Sequence, residues 1–169
     1  MKKSEILKEI IENRRSIYPK DYLGEDIPQE IFDEILSAAQ FAPSHKKTKP
    51  WRFEVFRNEE KQKLAKEIQK IYKETTPEHL FLEKKYSDFE DKISKSNIVI
   101  SISVNFSGLL PEWEEIAAVA MAVQNMYLTC TANEIGCYWS SHKVINHLGD
   151  FLSLENNQRC IGLFYMGKV

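Results

Sequence analysis

At 169 residues, with 23 lysines and arginines against 25 aspartates and glutamates and a net charge of −2, the chain is sized for one domain that buries about two-thirds of its unfolded surface. Near-neutrality excludes nucleic acid as the main partner, because a phosphate backbone demands a clear basic excess. The opening MKKSEILKEI has glutamates where a secretion signal needs an apolar core. Cys130, Cys137 and Cys160 follow no metal-binding spacing, so a soluble cytoplasmic protein with reduced thiols is expected.

In chain order, Ser4 is a plausible cap for a first helix whose Ile6, Leu7, Ile10 and Ile11 recur at helical spacing. It fades at Asn13 into Arg14-Arg15-Ser16. Two adjacent arginines and a hydroxyl just past a helix can form a bidentate anion clamp. They can equally serve to neutralise the helix dipole. Pro28 suits the first turn of a second helix, 28–41, with Ile31, Ile35, Ala38 and Ala39 on one face. The alternating stretch 51–56 predicts a strand, and Asn58 a cap for a third helix carrying Leu64, Ala65, Ile68 and Ile71, broken at Pro77. The charged and aromatic segment 78–95 predicts either a solvated helix or a mobile cover.

The β-branched run 97–104 predicts a buried strand. Pro111 opens the most unusual segment, IAAVAMAVQNMYL at 116–128, which is apolar on every side and too short to span a bilayer. A helix without a polar face must be covered all round, and in a chain of this size a second copy of the chain is the economical cover. Gln124 and Asn125 then need partners, either a ligand edge or a backbone carbonyl. Gly136 is expected to end that helix, 137–142 to be a short extended piece, 144–152 a short helix and 160–166 a final strand. Three strong strands among five or six helices without a βαβ repeat predict an α+β fold, helices around a small central sheet.

The stretch AAQFAPSHKKTKPWRFEVF at 38–56 joins a helix exit, a lysine-rich loop and a strand start carrying Trp51. Cations and hydroxyls on a fixed backbone suit a planar, electron-rich anion. The six glycines are scattered, so no dinucleotide fingerprint or phosphate loop is present. The four histidines include no metalloprotease pair, and no nucleophile elbow appears. With anion-binding residues but no evident acid, base or nucleophile, a bound cofactor is the expected carrier of any chemistry.

Arg14-Arg15-Ser16, the helix after Pro28, Ala42-Pro43-Ser44 through Pro50-Trp51, then Gln124-Asn125-Met126, Ile135-Gly136, Trp139 and the last strand together resemble the flavin-dependent nitroreductase family, in a short, compact form. The resemblance covers nearly the whole chain in the right order. It implies one nitroreductase-like FMN-binding domain over 1–169, an interlocked homodimer and an FMN in each of two interface sites. By the same resemblance Arg14, Arg15 and Ser16 hold the phosphate and ribityl side. Pro43, Ser44, His45 and Lys47 approach from the other subunit with Gln124 nearby, and the backbone of Trp139, Ser140 and Ser141 faces the reactive edge. Tyr18 stands where the family commonly has a cation near the pyrimidine edge. His45 and Lys47 replace a serine and an asparagine, Lys49 replaces a glutamine, and Lys168 is the stand-in for a basic phosphate ligand. The implied activity is hydride transfer from NAD(P)H through FMN to a small nitroaromatic- or quinone-type acceptor by a ping-pong mechanism. A flavin-storage dimer with little turnover, or a flavin-dependent dehalogenase or dehydrogenase, is the alternative.

Overall fold

A computed structural model describes residues 2–169. Four antiparallel strands, β1 (Trp51–Phe56), β2 (Ile98–Asn105), β3 (Ile135–Ser140) and β4 (Gln158–Lys168), form one sheet in the order β1-β2-β4-β3. The helices are α1 (Lys3–Asn13), α2 (Gln29–Ala38), α3 (Asn58–Thr75), α4 (Glu83–Lys95) and α5 (Glu112–Ala132), with short 3-10 turns between them.

The two central strands are buried on both faces, which explains their near-continuous apolar sequence. Alternation along β2 sends Ile98, Ile100, Ile102 and Val104 into one core with α2 and α5. Val99, with Leu163 and Tyr165 of β4, enters a second core under α3, α4 and the 3-10 turn Lys143–His147. Register slips by one residue between Ile102 and Ser103, leaving Ile161 of β4 as the extra residue of a bulge. The Trp139 indole donates to the Ile161 carbonyl at 3.2 Å, satisfying the group that the bulge frees. Only glycine fits beneath that indole, since a Cβ on Gly162 would lie 1.7 Å from Trp139 Nε1. Gly167 is similar, because the Tyr22 ring lies directly on its backbone and a Cβ there would meet Cδ2 at 2.4 Å. The segment carrying Tyr22 is therefore strapped across the strand ends, with Ile17 N–H donating to Cys137 O and Leu23 N–H to Lys168 O.

Several local expectations are corrected. Lys2 rather than Ser4 caps α1. Asn58 does not cap α3 but is its first residue, in the left-handed conformation that asparagine tolerates, where the chain swings out of β1. The helix predicted over 28–41 is α-helical only to Ala38 and tightens to a 3-10 turn over Ala39–Phe41 before Pro43. α5 ends at Ala132, with Asn133 as its C-cap, so Gly136 sits inside a fourth strand instead of stopping the helix. The predicted helix 144–152 is only a 3-10 turn, Lys143–His147, followed by irregular turns.

Within the chain α5 is not covered all round. Ala118, Val119, Ala122, Val123, Met126 and Cys130 are buried, whereas Trp113, Ala120, Met121 and Gln124 face outward. α1 buries no residue at all, and its Ile6, Leu7 and Ile11 are exposed. Among the described residues no helix is long and apolar enough to cross a membrane.

Candidate active site

Of the residues singled out from sequence, Arg14 and Ser16 meet the C-terminal half of α5 and Pro43, Ser44 and His45 its N-terminal half, whereas Tyr18, Ser140, Ser141 and Lys168 lie elsewhere. At the C-terminal half of α5, the Arg14 guanidinium lies 5.4 Å from the centre of the Tyr127 ring. Burial raises the Tyr127 hydroxyl above its ordinary pKa, while hydrogen bonds from the Ser16 side chain and the Trp139 backbone pull it back. Arg15 turns the other way and donates to the carbonyls of Glu12 and Arg14 at 2.6 and 2.9 Å. Arg15 thus satisfies carbonyls at the end of the helix, and Arg14 is presented over an aromatic ring.

Tyr18 is half exposed, with its ring centre 4.8 Å from that of Tyr138, which stacks in turn on Tyr165 at 4.9 Å. Tyr138 and Ser140 point to the α4 side of β3 and line a small cavity of about 90 Å³ with Lys85, Asp88, Lys92 and His142. Burial pushes the Tyr138 hydroxyl up to about 12. Both N–H groups of Trp139 are already engaged, the backbone one with Tyr127 Oη at 2.6 Å and the indole one at the bulge. Ser141 is exposed at the strand exit. Lys168 is paired with Glu25 at 3.1 Å, at the strand ends crossed by the Tyr22 segment.

The second place is the N-terminal half of α5. Pro43, Ser44 and His45 line an open groove of about 440 Å³ with Trp113, Glu114, Ala117 and Met121. His45 Nδ1 lies 2.7 Å from Glu114 Oε2, tying the loop to the helix. Ser44 Oγ accepts the Lys49 N–H at 3.2 Å. Lys46, Lys47 and Lys49 all take left-handed backbone angles, with φ of 52°, 55° and 42°. That conformation disfavours side chains bearing a Cβ, so the loop holds three lysines outward at a conformational cost. Gln124 is exposed on the outer face of α5, between the two places. Asn125 faces inward and donates to the Ala38 carbonyl at 3.1 Å, closing the end of α2.

Sequence reasoning missed Tyr127, Tyr138 and Glu114, which earn their places only through contacts with residues distant in the chain. It weighed His142 only as a metal ligand. The segment 78–95, left open between helix and cover, contains α4, which supplies Lys85, Asp88 and Lys92 to the small cavity.

The nitroreductase family profile matches residues 11–168. A Bacillus subtilis (strain 168) protein, YfhC, provisionally named an NAD(P)H nitroreductase, is 25% identical over 96% of this chain and 84% of its own length. A nitroreductase-like protein from Bacillus cereus superposes with a TM-score of 0.80 at 22% identity, covering 96% of this chain and 84% of that one. The FMN-dependent nitroreductase NfnB of Mycobacterium smegmatis, solved with NADPH, gives 0.79 at 15% identity over 98% and 88% of the two chains. A Desulfovibrio desulfuricans nitroreductase structure containing FMN gives 0.70 at 25% identity over 95% and 84%. A helix-wrapped antiparallel sheet of this order, matched by these solved structures over nearly its whole length, and a profile spanning all but the first ten residues and the last place the chain in the nitroreductase family.

Proposed function

We propose that the protein is a homodimeric, FMN-dependent oxidoreductase that takes hydride from NAD(P)H and passes it to a small oxidised acceptor. One observation carries the reading. Glu114, which holds the proline-led loop, and Tyr127, which holds Arg14, are thirteen residues apart on α5, or about 20 Å along its axis. One chain cannot close both places on one ligand. A second copy, packed antiparallel on the outward face of α5, would set the arginine end of one helix against the loop end of the other. The exposed Trp113 and Met121 supply the apolar contact such a pairing needs.

The residues fit FMN. A dianionic phosphate is matched by the Arg14 guanidinium beside the Ser16 hydroxyl. A flat ring is matched by the half-exposed Tyr18, backed by Tyr138, with Lys92, Ser140 and His142 bordering the cavity beneath them. Pro43, Ser44 and Lys47 of the partner copy would close the other side and exclude water, with Gln124 from the same α5 face. When bound, the flavin supplies the hydride chemistry, and the protein has only to orient it against donor and acceptor in turn. Neither Trp139 N–H is free and Ser140 is paired with Leu163 of β4, which leaves the backbone at Ser141 to meet the ring edge. The protein acts in the cytoplasm and forms one functional unit over its whole length.

The test is direct. The purified protein is expected to be yellow and dimeric, and stopped-flow mixing with NADH or NADPH should bleach the flavin within seconds. A colourless monomer that does not retain FMN refutes the proposal, and a yellow protein that neither nucleotide bleaches favours storage.

A further inference from the structure

The mouth of the small cavity carries an unbalanced charge. Outward from it, and sharing Lys85, His142 and Val144 with it, lies a groove of about 310 Å³ between the end of α3, α4 and the Lys143–His147 turn. Its lining has apolar surfaces (Tyr72, Leu80) and four basic side chains, Lys85, Lys143, His142 and His147, but no carboxylate. The inner cavity adds Lys92 against a single acid, Asp88. Among the described residues none of these three lysines has a salt-bridge partner, although the chain as a whole is net acidic.

His142 is held in one form. Its ring packs edge-on against Phe89 and Tyr72, at 5.2 and 6.3 Å. Its Nδ1 accepts the Val144 N–H at 3.3 Å, which leaves Nε2 carrying the proton of the neutral ring. Burial first, then Lys85, Lys92 and Lys143, lower its pKa and keep it neutral. The groove therefore offers ammonium groups and one fixed N–H donor beside an aromatic wall, with Asp88 of the inner cavity as the one acid lining either space and Lys85 5.6 Å from the centre of the Tyr72 ring.

We infer that this groove selects acceptors bearing a carboxylate or similar anionic group on a planar body, with Lys85 and Lys143 binding the anion. The inference rests on the flavin reading only in making the bound molecule an acceptor; that the groove binds an organic anion stands without it. The nucleotide donor is an anion too, so the experiment must tell the two apart.

For the protein as purified, kcat/KM is measured with 4-nitrobenzoate and nitrobenzene as acceptors, in wild type and in Lys85→Met and Lys143→Met. The expected result is a wild-type preference for the carboxylate that falls about tenfold in either variant, the size of a lost charge-assisted hydrogen bond. Separately, His142 is titrated by NMR with benzoate or benzamide present. Benzoate should raise its midpoint and benzamide should not, and Lys143→Met should blunt the effect. An unchanged acceptor ratio in both variants, or equal effects of the two probes on His142, overturns the inference. A change confined to the KM for NADPH overturns it as well, by giving the groove to the donor. If the protein lacks flavin altogether, the NMR arm still decides whether the groove binds the anion.

Discussion

Gly162 shows how much one missing methyl group organises. The bulge at Ile161 frees a carbonyl, Trp139 satisfies it, and the indole can reach it only across a residue without a Cβ. Gly162→Ala is expected to destabilise the fold by about 2–3 kcal/mol through overpacking. Chemical denaturation would register this, and an unchanged midpoint would show that the indole moves aside freely. His142 makes a different prediction. Its pKa in the fold lies below the ordinary 6.5, so the unfolded chain binds the proton more readily. Stability therefore rises with pH in this window and is lost as pH falls below about 6.5. His142→Gln should flatten that acid limb in urea melts taken between about pH 5 and 7. If the slope stays the same, another group sets it.

Among the elements, β1, β2, β4 and the apolar stripes of α2 and α3 were legible, because alternation and helical period report burial directly. β3 was half legible, as a short extended piece at 137–142 but not as a paired strand starting at Ile135, since Gly136 suits a helix stop as well as a strand and only its pairing with Gly167 decides. In the candidate site, residue type alone pointed to Arg14 and Pro43. Tyr127 and Glu114 could not be found that way, because their roles arise where α5 passes the ends of two unrelated segments. α5 itself was half legible: its lack of a polar face was plain, but one chain covers only one side. Placing charge on the other side, as in Met121→Glu with Trp113→Arg, should yield a folded monomer in analytical ultracentrifugation. FMN affinity should drop by at least about tenfold, because each proposed site would lose half its walls. Retention of both dimer and flavin would mean that another face forms the contact.

At the level of the whole molecule, the proposed pairing and the proposed cofactor stand together. Arg14→Gln should weaken FMN binding by about tenfold while leaving the dimer intact, since it removes a phosphate partner and no outward apolar surface. Fluorescence recovery on FMN dilution would measure the first effect, and sedimentation the second. Loss of both would instead assign Arg14 to assembly. The bare N-terminal helix has a consequence for the order of events during synthesis. With no buried residue of its own, α1 has little to hold it once the strap at Tyr22 is in place, and isolated helices of eleven residues are marginal in water. A newly made polypeptide should thus carry a fraying arm that trypsin clips at Lys3 or Lys8, and protection of those bonds should appear with second-order kinetics as copies find one another.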